Sequence, residues 1–167
     1  MGACYSNIFQ STQSAQSTLS TQPTQPTIPC NLIRKEIPKF RPRINHGRVI
    51  EVYDGDTITI ATHESGELFQ FQVRLMGIDT PERRTKDSSE KEVALIAKKE
   101  LEEMISGEIV QLHNVDLDKY GRILANVMYC NKDVGETLIK KRLAVPYFGK
   151  TKKSPTNWMQ FYKSGIM

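Results

Sequence analysis

Three consecutive stretches in which apolar and polar residues alternate constrain the fold of this chain more than any other feature. They cover His46–Tyr53, Thr57–Thr62 and Leu68–Met76. A period of two places every second side chain on the same face, which is typical of a half-buried strand. The intervening segments contain Asp54-Gly55 and Ser65-Gly66, and both dipeptides favour turns. We therefore predict a three-stranded antiparallel meander.

The rest of the chain alternates predicted helices with two more strands. The residues from Ser89 to Glu92 fit a capping box, in which the Ser89 hydroxyl accepts a hydrogen bond from the Glu92 amide. An apolar stripe follows at helical spacing, and Gly107 stands where a left-handed residue commonly ends a helix. The other predicted elements are strands at Glu108–Val115 and Ile123–Tyr129 and helices at Asp133–Leu143 and Pro155–Lys163, the last with Pro155 in its first turn.

Five strands with a helix after the third predict an α+β, β-rich fold, namely a five-stranded Greek-key barrel of the OB type with about three helices. We assign this domain to residues 43–167 and a tail to residues 1–42. Residues 1–30 carry no charged side chain, and Gln10–Pro29 is almost entirely Gln, Ser, Thr and Pro. Such a segment buries too little apolar surface to offset its conformational entropy, so we expect the tail to be disordered.

Composition favours a soluble protein of a reducing compartment. The 23 basic and 19 acidic residues make the chain mildly basic, which weakly indicates a polyanionic partner. Cys4, Cys30 and Cys130 match neither a zinc site nor a disulfide framework. No stretch is apolar enough to cross a membrane, and a secretory signal is not evident. We therefore expect a cytoplasmic protein that is not secreted by a classical signal.

The first six residues match the pattern for N-myristoylation, with Gly2 as the acceptor. One myristoyl chain binds a membrane only marginally, so stable attachment needs a second signal. Cys4, as a site for a second acyl chain, is one candidate. The other is a basic cluster, which is alternatively a solvated linker: Arg34, Lys35, Lys39, Arg41 and Arg43. Unless the match is a chance one, we expect peripheral attachment to the cytoplasmic side of a membrane.

Charged residues fall in a few short motifs that suit phosphodiester chemistry. They are Asp54-Gly55-Asp56-Thr57, Arg74, Asp79-Thr80-Pro81-Glu82 and Asp118-Lys119-Tyr120-Gly121-Arg122. Each motif alone has a simpler interpretation, as a turn, an exposed strand residue or the start of a helix. Together they supply hard oxygens for a divalent cation, a carboxylate to activate water, and guanidinium groups to neutralise developing charge.

With these motifs, the chain from about His46 to Lys163 resembles the staphylococcal (micrococcal) nuclease family, also called thermonuclease-like. The motif containing Asp56, Arg74 five residues before Asp79, and the motif ending in Arg122 carry the resemblance. The segments 135–139 and 142–144 are similar to the second helix of that family. The tail, residues 1–42, does not contribute to this resemblance.

The resemblance implies a role for each site residue. Asp56, Asp79 and the Thr80 carbonyl would bind one Ca²⁺, and Glu82 would be the general base or position the water. The two arginines, Arg74 and Arg122, would contact the scissile phosphate. The implied substrate-binding residues are Lys119 and Tyr120, at a terminal phosphate, and Tyr147, which either stacks on a base or packs in the core.

The leading functional hypothesis is a calcium-dependent, sugar-nonspecific nuclease that hydrolyses DNA and RNA and leaves 3′-phosphate ends. The first alternative is a catalytically silent barrel that binds nucleic acid or protein while tethered to a membrane. A second alternative is an adaptor whose tail carries the function. All five charged site positions are intact, which favours the enzyme. The sequence indicates no protein partner.

Overall fold

The structure, a computed structural model, describes residues 27–149 and 154–167. The strands are β1 (His46–Asp54), β2 (Thr57–Glu64), β3 (Glu67–Leu75), β4 (Ile78–Asp79), β5 (Ile109–Leu117), β6 (Ile123–Tyr129), β7 (Lys132–Asp133) and β8 (Val145–Pro146). The helices are α1 (Ser88–Ile105), α2 (Val134–Lys140) and α3 (Trp158–Ser164).

The five long strands close into a barrel, which confirms the predicted OB-type α+β fold. The strand order is β3-β2-β1-β5-β6-β7, and a parallel pairing of β3 with β6 closes the sheet. The predicted meander is confirmed, because β1, β2 and β3 pair antiparallel in succession. In the closing pair, Arg74 is the register partner of Leu124. The short β4 and β8 form a separate two-stranded sheet beside the barrel.

Helix α1 lies against β1 and α3 and covers part of the barrel core. Its buried stripe includes Val93, Ala97, Leu101 and Ile105, which recur every four residues. This spacing keeps the side chains on one helix face, so a single apolar stripe faces the barrel. Each fully buried Val, Leu or Ile side chain of this stripe contributes roughly 1.5–3 kcal/mol of transfer free energy.

The predicted helix ends needed correction at two N-termini. Helix α1 is capped by Asp87, whose carboxylate accepts from the Ser89 amide at 2.8 Å, so the predicted capping box is wrong. A carboxylate at this position also interacts favourably with the helix dipole. Helix α3 begins after Asn157, whose side chain caps it, so Pro155 precedes the helix rather than lying in its first turn. The predicted C-terminal glycine is confirmed, since Gly107 has a φ of +77° just after α1.

The described part of the chain divides between Pro38 and Lys39. Residues 27–38 are exposed and contain one turn, in which the Glu36 amide donates to the Ile33 carbonyl at 2.9 Å. Gly2 and Cys4 lie outside the described residues, as does most of the predicted disordered tail, and the boundary at residues 42 and 43 stays a prediction. In the described ranges, no helix combines the length and apolarity needed to cross a membrane.

Candidate active site

The turn between β1 and β2 holds Asp56 at one end of the barrel. Asp54 Oδ1 accepts from the Asp56 amide at 3.3 Å, and the Asp56 carbonyl accepts from the Leu75 amide at 2.8 Å. The Thr57 hydroxyl donates to the Asp56 carboxylate at 2.9 Å. The turn is therefore fixed to the end of β3, and the orientation of the Asp56 carboxylate is set by its neighbours.

Arg74 joins the two aspartates that the sequence separates by more than twenty residues. Its Nη1 donates to Asp56 Oδ1 at 2.7 Å, and its Nη2 lies 2.6 Å from Asp56 Oδ2 and 3.8 Å from Asp79 Oδ1. The side chains are 23% exposed for Arg74, 4% for Asp56 and 6% for Asp79. We call these three residues the buried charge cluster. Arg74 is thus a partner of two buried carboxylates rather than an exposed strand residue.

Burial raises the pKa of Asp56 to about 7, although the Arg74 charge lowers it and nearby Asp54 raises it further. The ionised form of Asp56 would therefore be favoured by additional positive charge close to it. Two buried carboxylates and the adjoining main-chain carbonyls are hard oxygen donors, which fit Ca²⁺ or Mg²⁺. In the described part of the chain, no group of three or more His, Cys, Asp or Glu residues is suited to a metal ion. The carboxylates that Arg74 brings together are those of Asp56 and Asp79.

Asp79 is positioned by the small β4–β8 sheet. It is the register partner of Val145, and the adjacent Tyr147 amide donates to the Gly77 carbonyl at 2.8 Å. The Ser154 hydroxyl lies 3.4 Å from Asp79 Oδ2. The main chain of Tyr147 is consequently next to the segment that carries Asp79, whereas the predicted base-stacking role of its half-buried side chain stays a prediction.

Gly55 allows the Asp56 turn to pack directly against Thr80 and α1. A Cβ atom at Gly55 would lie 3.0 Å from Ala97 Cβ and 3.2 Å from Thr80 Cβ, both tighter than ordinary contacts. Thr80 itself is buried, with 5% of its surface exposed. The structure therefore brings together all three residues predicted to bind the cation.

Glu82 lies in the exposed loop that follows this cluster, and contacts from Glu90 and Tyr53 hold that loop. The Glu82 amide donates to Glu90 Oε1 in the first turn of α1 at 3.1 Å. Arg83 donates to the Tyr53 carbonyl and lies 5.4 Å from the Tyr53 ring centre, and Arg84 Nη2 is 3.2 Å from the Tyr53 hydroxyl. We call this set of arginine contacts the Tyr53 clamp. Neither Tyr53 nor Glu90 was predicted from the sequence as a site residue.

A tight turn around Asp118 presents Arg122. The Asp118 carboxylate accepts from the Tyr120 amide at 2.8 Å, the Arg122 amide at 3.0 Å and Arg122 Nε at 2.6 Å. Burial alone would raise the pKa of Asp118, but the hydrogen bonds from the side chain and amide of Arg122 and from the Tyr120 amide outweigh it and lower that pKa. Gly121, with a φ of +86°, permits this conformation.

Arg122 lies on the same side of the sheet as Arg74. Leu124 is the register partner of Arg74, and Arg122 precedes Leu124 by two residues. Because side chains alternate along a strand, residues two apart face the same way. The two arginines are therefore on one face, on adjacent strands, with Arg122 at the rim. Tyr120 and Lys119 are both exposed in the same turn.

Comparison with known proteins identifies the family. The family described as "Staphylococcal nuclease homologue" matches residues 72–164, which is more than half of the chain. The chain belongs to this family. The matched region includes Arg74, the 79–82 motif and the Asp118 turn, whereas Asp56 lies before it.

Curated relatives of this staphylococcal nuclease homologue carry similar descriptions. A probable endonuclease of Schizosaccharomyces pombe is 37% identical over 84 residues, covering 46% of this chain and 36% of the relative. An uncharacterized endonuclease of Haemophilus influenzae is 30% identical over 103 residues, covering 62% and 53% respectively. The staphylococcal-like nuclease CAN1 of Arabidopsis thaliana is 35% identical over 86 residues, covering 51% and 24%. The matches thus span between about a quarter and a half of these relatives.

Proposed function

We propose that this protein is a calcium-dependent nuclease that hydrolyses phosphodiester bonds in DNA and RNA and leaves 3′-phosphate ends. The observation that carries the proposal is the buried charge cluster, in which Arg74 bridges Asp56 and Asp79 at one end of the barrel. Family membership and the descriptions of the relatives as endonucleases support the class of reaction.

Asp56, Asp79 and the Thr80 carbonyl would hold one Ca²⁺. When bound, a divalent cation polarises a phosphoryl oxygen and stabilises the charge that develops on it. The chain prepares its side of this site in advance, because Arg74 and the Thr57 hydroxyl already fix the Asp56 carboxylate. Preorganised groups of this kind need little rearrangement as the reaction proceeds.

Glu82 would accept a proton from the attacking water as general base. The water oxygen forms a bond to phosphorus while the bond to the 5′ oxygen breaks, and the bonding electron pair leaves with that oxygen, which takes a proton from solvent. The phosphate remains on the 3′ oxygen. Arg74 and Arg122 would contact the scissile phosphate from one face of the sheet, since a guanidinium fork matches two phosphate oxygens and stays charged.

Residues around Arg122 would bind the substrate beyond the reacting phosphate. Lys119 and Tyr120 are exposed in the Asp118 turn, which suits contact with a terminal phosphate. Tyr147 is adjacent in sequence to β8, the strand that pairs with the Asp79 segment, and is our candidate for stacking on a base. The alternative, a catalytically silent binding module, would leave the buried charge cluster with a structural role alone.

Digestion of supercoiled plasmid and single-stranded RNA tests this function. We expect cleavage of both with Ca²⁺, no cleavage with EGTA, and weaker cleavage when Mg²⁺ replaces Ca²⁺. Products should have 3′ ends that become extendable by a polymerase only after phosphatase treatment. The Glu82→Gln variant keeps the shape of the side chain and should lose most of the rate. Intact plasmid in the Ca²⁺ sample would contradict the proposal and favour the silent binding module.

Attachment to the cytoplasmic side of a membrane is a separate proposal that rests on the pattern at Gly2 and Cys4. It is tested by cell fractionation of the wild type and a Gly2→Ala variant. We expect the variant to move from the membrane fraction to the soluble fraction. An unchanged distribution would exclude the lipid anchor.

A further inference from the structure

A groove with exposed basic side chains lies beside the Asp118 turn. It has a volume of about 450 Å³ and is lined by Lys39 and Arg41 on one side and by residues 116–121 on the other. We call it the basic groove. All of its lining residues belong to the unit that begins at Lys39. Its location next to Arg122 makes it an extension of the candidate active site.

The acidic residues in this groove are already engaged. Asp118 accepts three hydrogen bonds from its own turn. Asp116 Oδ1 is 3.4 Å from Arg41 Nη2, but the two side chains are 50% and 71% exposed. An exposed pair of this kind is weak, so the Arg41 guanidinium can exchange this partner for a phosphate. Together with Lys39 and Lys119, it makes the groove attractive to a polyanion.

An exposed aromatic ring forms one wall of the basic groove. Tyr120 is 72% exposed, Lys119 Nζ lies 4.8 Å from its ring centre, and Arg122 Cζ lies 5.5 Å from it. A ring flanked by cations suits a single-stranded nucleic acid, because bases stack on aromatic faces while the cations contact the backbone. A lipid headgroup would use the cations but not the ring.

We propose that the basic groove binds the phosphate backbone of a single-stranded substrate on the side of Arg122 away from the buried charge cluster, with Lys39 and Arg41 as phosphate contacts. This inference rests on the proposed function, because it extends the same substrate past the scissile phosphate. It assigns two residues of the predicted basic cluster to nucleic acid rather than to a membrane. It also predicts that long substrates bind more tightly than dinucleotides.

Binding of a fluorescent single-stranded DNA, measured by anisotropy in EGTA, tests the groove without cleavage. A strand of about 12 nucleotides is suitable, since barrels of this type contact about 4–16 nucleotides. We expect the double variant Lys39→Gln/Arg41→Gln to raise the Kd by about fivefold or more at low salt. The slope of log K against log salt concentration should decrease in magnitude by roughly 1.4, which is about 0.7 for each lost contact.

Lys140→Gln provides a matched control, because Lys140 forms a comparable exposed pair with Glu136 at 3.4 Å on α2. It should change neither the Kd nor the salt slope, and thermal unfolding should show that all variants are folded. Unchanged DNA binding by the double variant, or equal weakening by Lys140→Gln, would overturn the proposal. Loss of binding to phosphatidylserine vesicles with unchanged DNA binding would overturn it in favour of a membrane surface.

The DNA-binding experiment on the groove and the plasmid digestion that tests the nuclease can fail independently. If plasmid digestion fails while the double variant still weakens DNA binding, the groove stands and the nuclease proposal falls. If the enzyme is active, the double variant should raise the KM for a long oligonucleotide and leave kcat unchanged. The kinetics of a dinucleotide substrate should not change, because it is too short to reach the groove. An equal rise in KM for both substrates would contradict the groove.

Discussion

The buried charge cluster and the Asp118 turn both present an arginine, but they position it by different means. Arg74 is fixed by two carboxylates, one from the turn between β1 and β2 and one from β4, and this arrangement exists only in the closed barrel. Arg122 is fixed by Asp118, four residues away in the same turn. The two arginines therefore differ in how far their position depends on the whole fold.

Burial gives this difference an energetic consequence. Removing the partner of a buried charge leaves it uncompensated, whereas water can partly replace a partner in the Arg122–Asp118 pair, whose side chains are 29% and 12% exposed. Substitutions in the buried charge cluster should therefore change both stability and activity. Substitutions in the Asp118 turn should change activity and have a smaller effect on stability.

The Arg74→Ala variant should show the largest effect. We expect kcat/KM to decrease about 100- to 1000-fold, as for the loss of a preorganised charge-stabilising group. The free energy of unfolding should decrease by roughly 2 kcal/mol or more, because Asp56 and Asp79 lose their shared partner. Oligonucleotide cleavage and urea unfolding measure the two quantities. Arg48→Ala is the control, since Arg48 is an exposed strand arginine that donates to the Gly107 carbonyl, away from the buried charge cluster.

The Arg122→Ala variant should separate activity from stability. We expect kcat/KM to decrease by about 10- to 100-fold because a contact to the scissile phosphate is lost. The free energy of unfolding should decrease by about 1 kcal/mol, less than in Arg74→Ala, because Arg122 and Asp118 are 29% and 12% exposed and water can partly replace the lost partner. Destabilisation as large as that of Arg74→Ala would show that the two regions do not differ as described.

A pair of glycine substitutions tests the same difference through the backbone. Gly55→Ala should destabilise the protein by about 1–3 kcal/mol and weaken calcium binding, because the new methyl group would push on Ala97 and Thr80. Gly121→Ala should cost about 1 kcal/mol through its left-handed φ and leave calcium binding unchanged. Calcium titrations in which binding is monitored by the thermal unfolding temperature distinguish the two variants. Equal loss of calcium affinity in both variants would be inconsistent with separate regions.

The Tyr53 clamp should affect catalysis modestly. Tyr53→Ala removes the contacts to Arg83 and Arg84 made by the side chain and frees the loop that carries Glu82. We expect kcat to decrease about three- to tenfold, roughly 1 kcal/mol, with little change in KM. Tyr53→Phe keeps the ring and should restore most of the rate. A change confined to KM would assign Tyr53 to substrate binding instead.

The smallest effect concerns pH. The pKa of Asp118 is lower in the folded protein than its ordinary value of 3.8, so ionised Asp118 stabilises the fold above that value. This contribution is lost as the pH falls through the depressed pKa. The difference in Tm between the wild type and Asp118→Asn should therefore be constant near neutral pH and shrink below about pH 4. A difference that grows on acidification would contradict the assigned partners of Asp118.

Sequence patterns predicted the barrel because alternation and turn dipeptides are local signals. They did not reveal β4 and β8, since two-residue strands have no measurable period, and this pairing is what positions Asp79. Alternation along β3 also marks Arg74 as outward-facing, and only the closed barrel shows that Asp79 covers that outward position.

Contacts between distant segments explain the other features that the sequence did not predict. The Tyr53 clamp joins β1 to a loop about thirty residues later, and nothing in the spacing of these residues indicates it. At α1, several polar residues compete for the cap, and Asp87 takes the position predicted for Ser89. The charged motifs identified which side chains matter, but the distances between them depend on the tertiary structure.

The calcium concentration that gives half the maximal cleavage rate reports directly on the proposed metal site. It should be measured with one oligonucleotide for the wild type, Asp79→Asn and Arg122→Ala. Our account predicts that Asp79→Asn raises this concentration by about tenfold or more, roughly 1.4 kcal/mol in binding free energy. Arg122→Ala should lower the maximal rate without changing the calcium concentration that gives half of it. Half-saturation that is unchanged in Asp79→Asn, or cleavage that does not depend on calcium, would contradict the account.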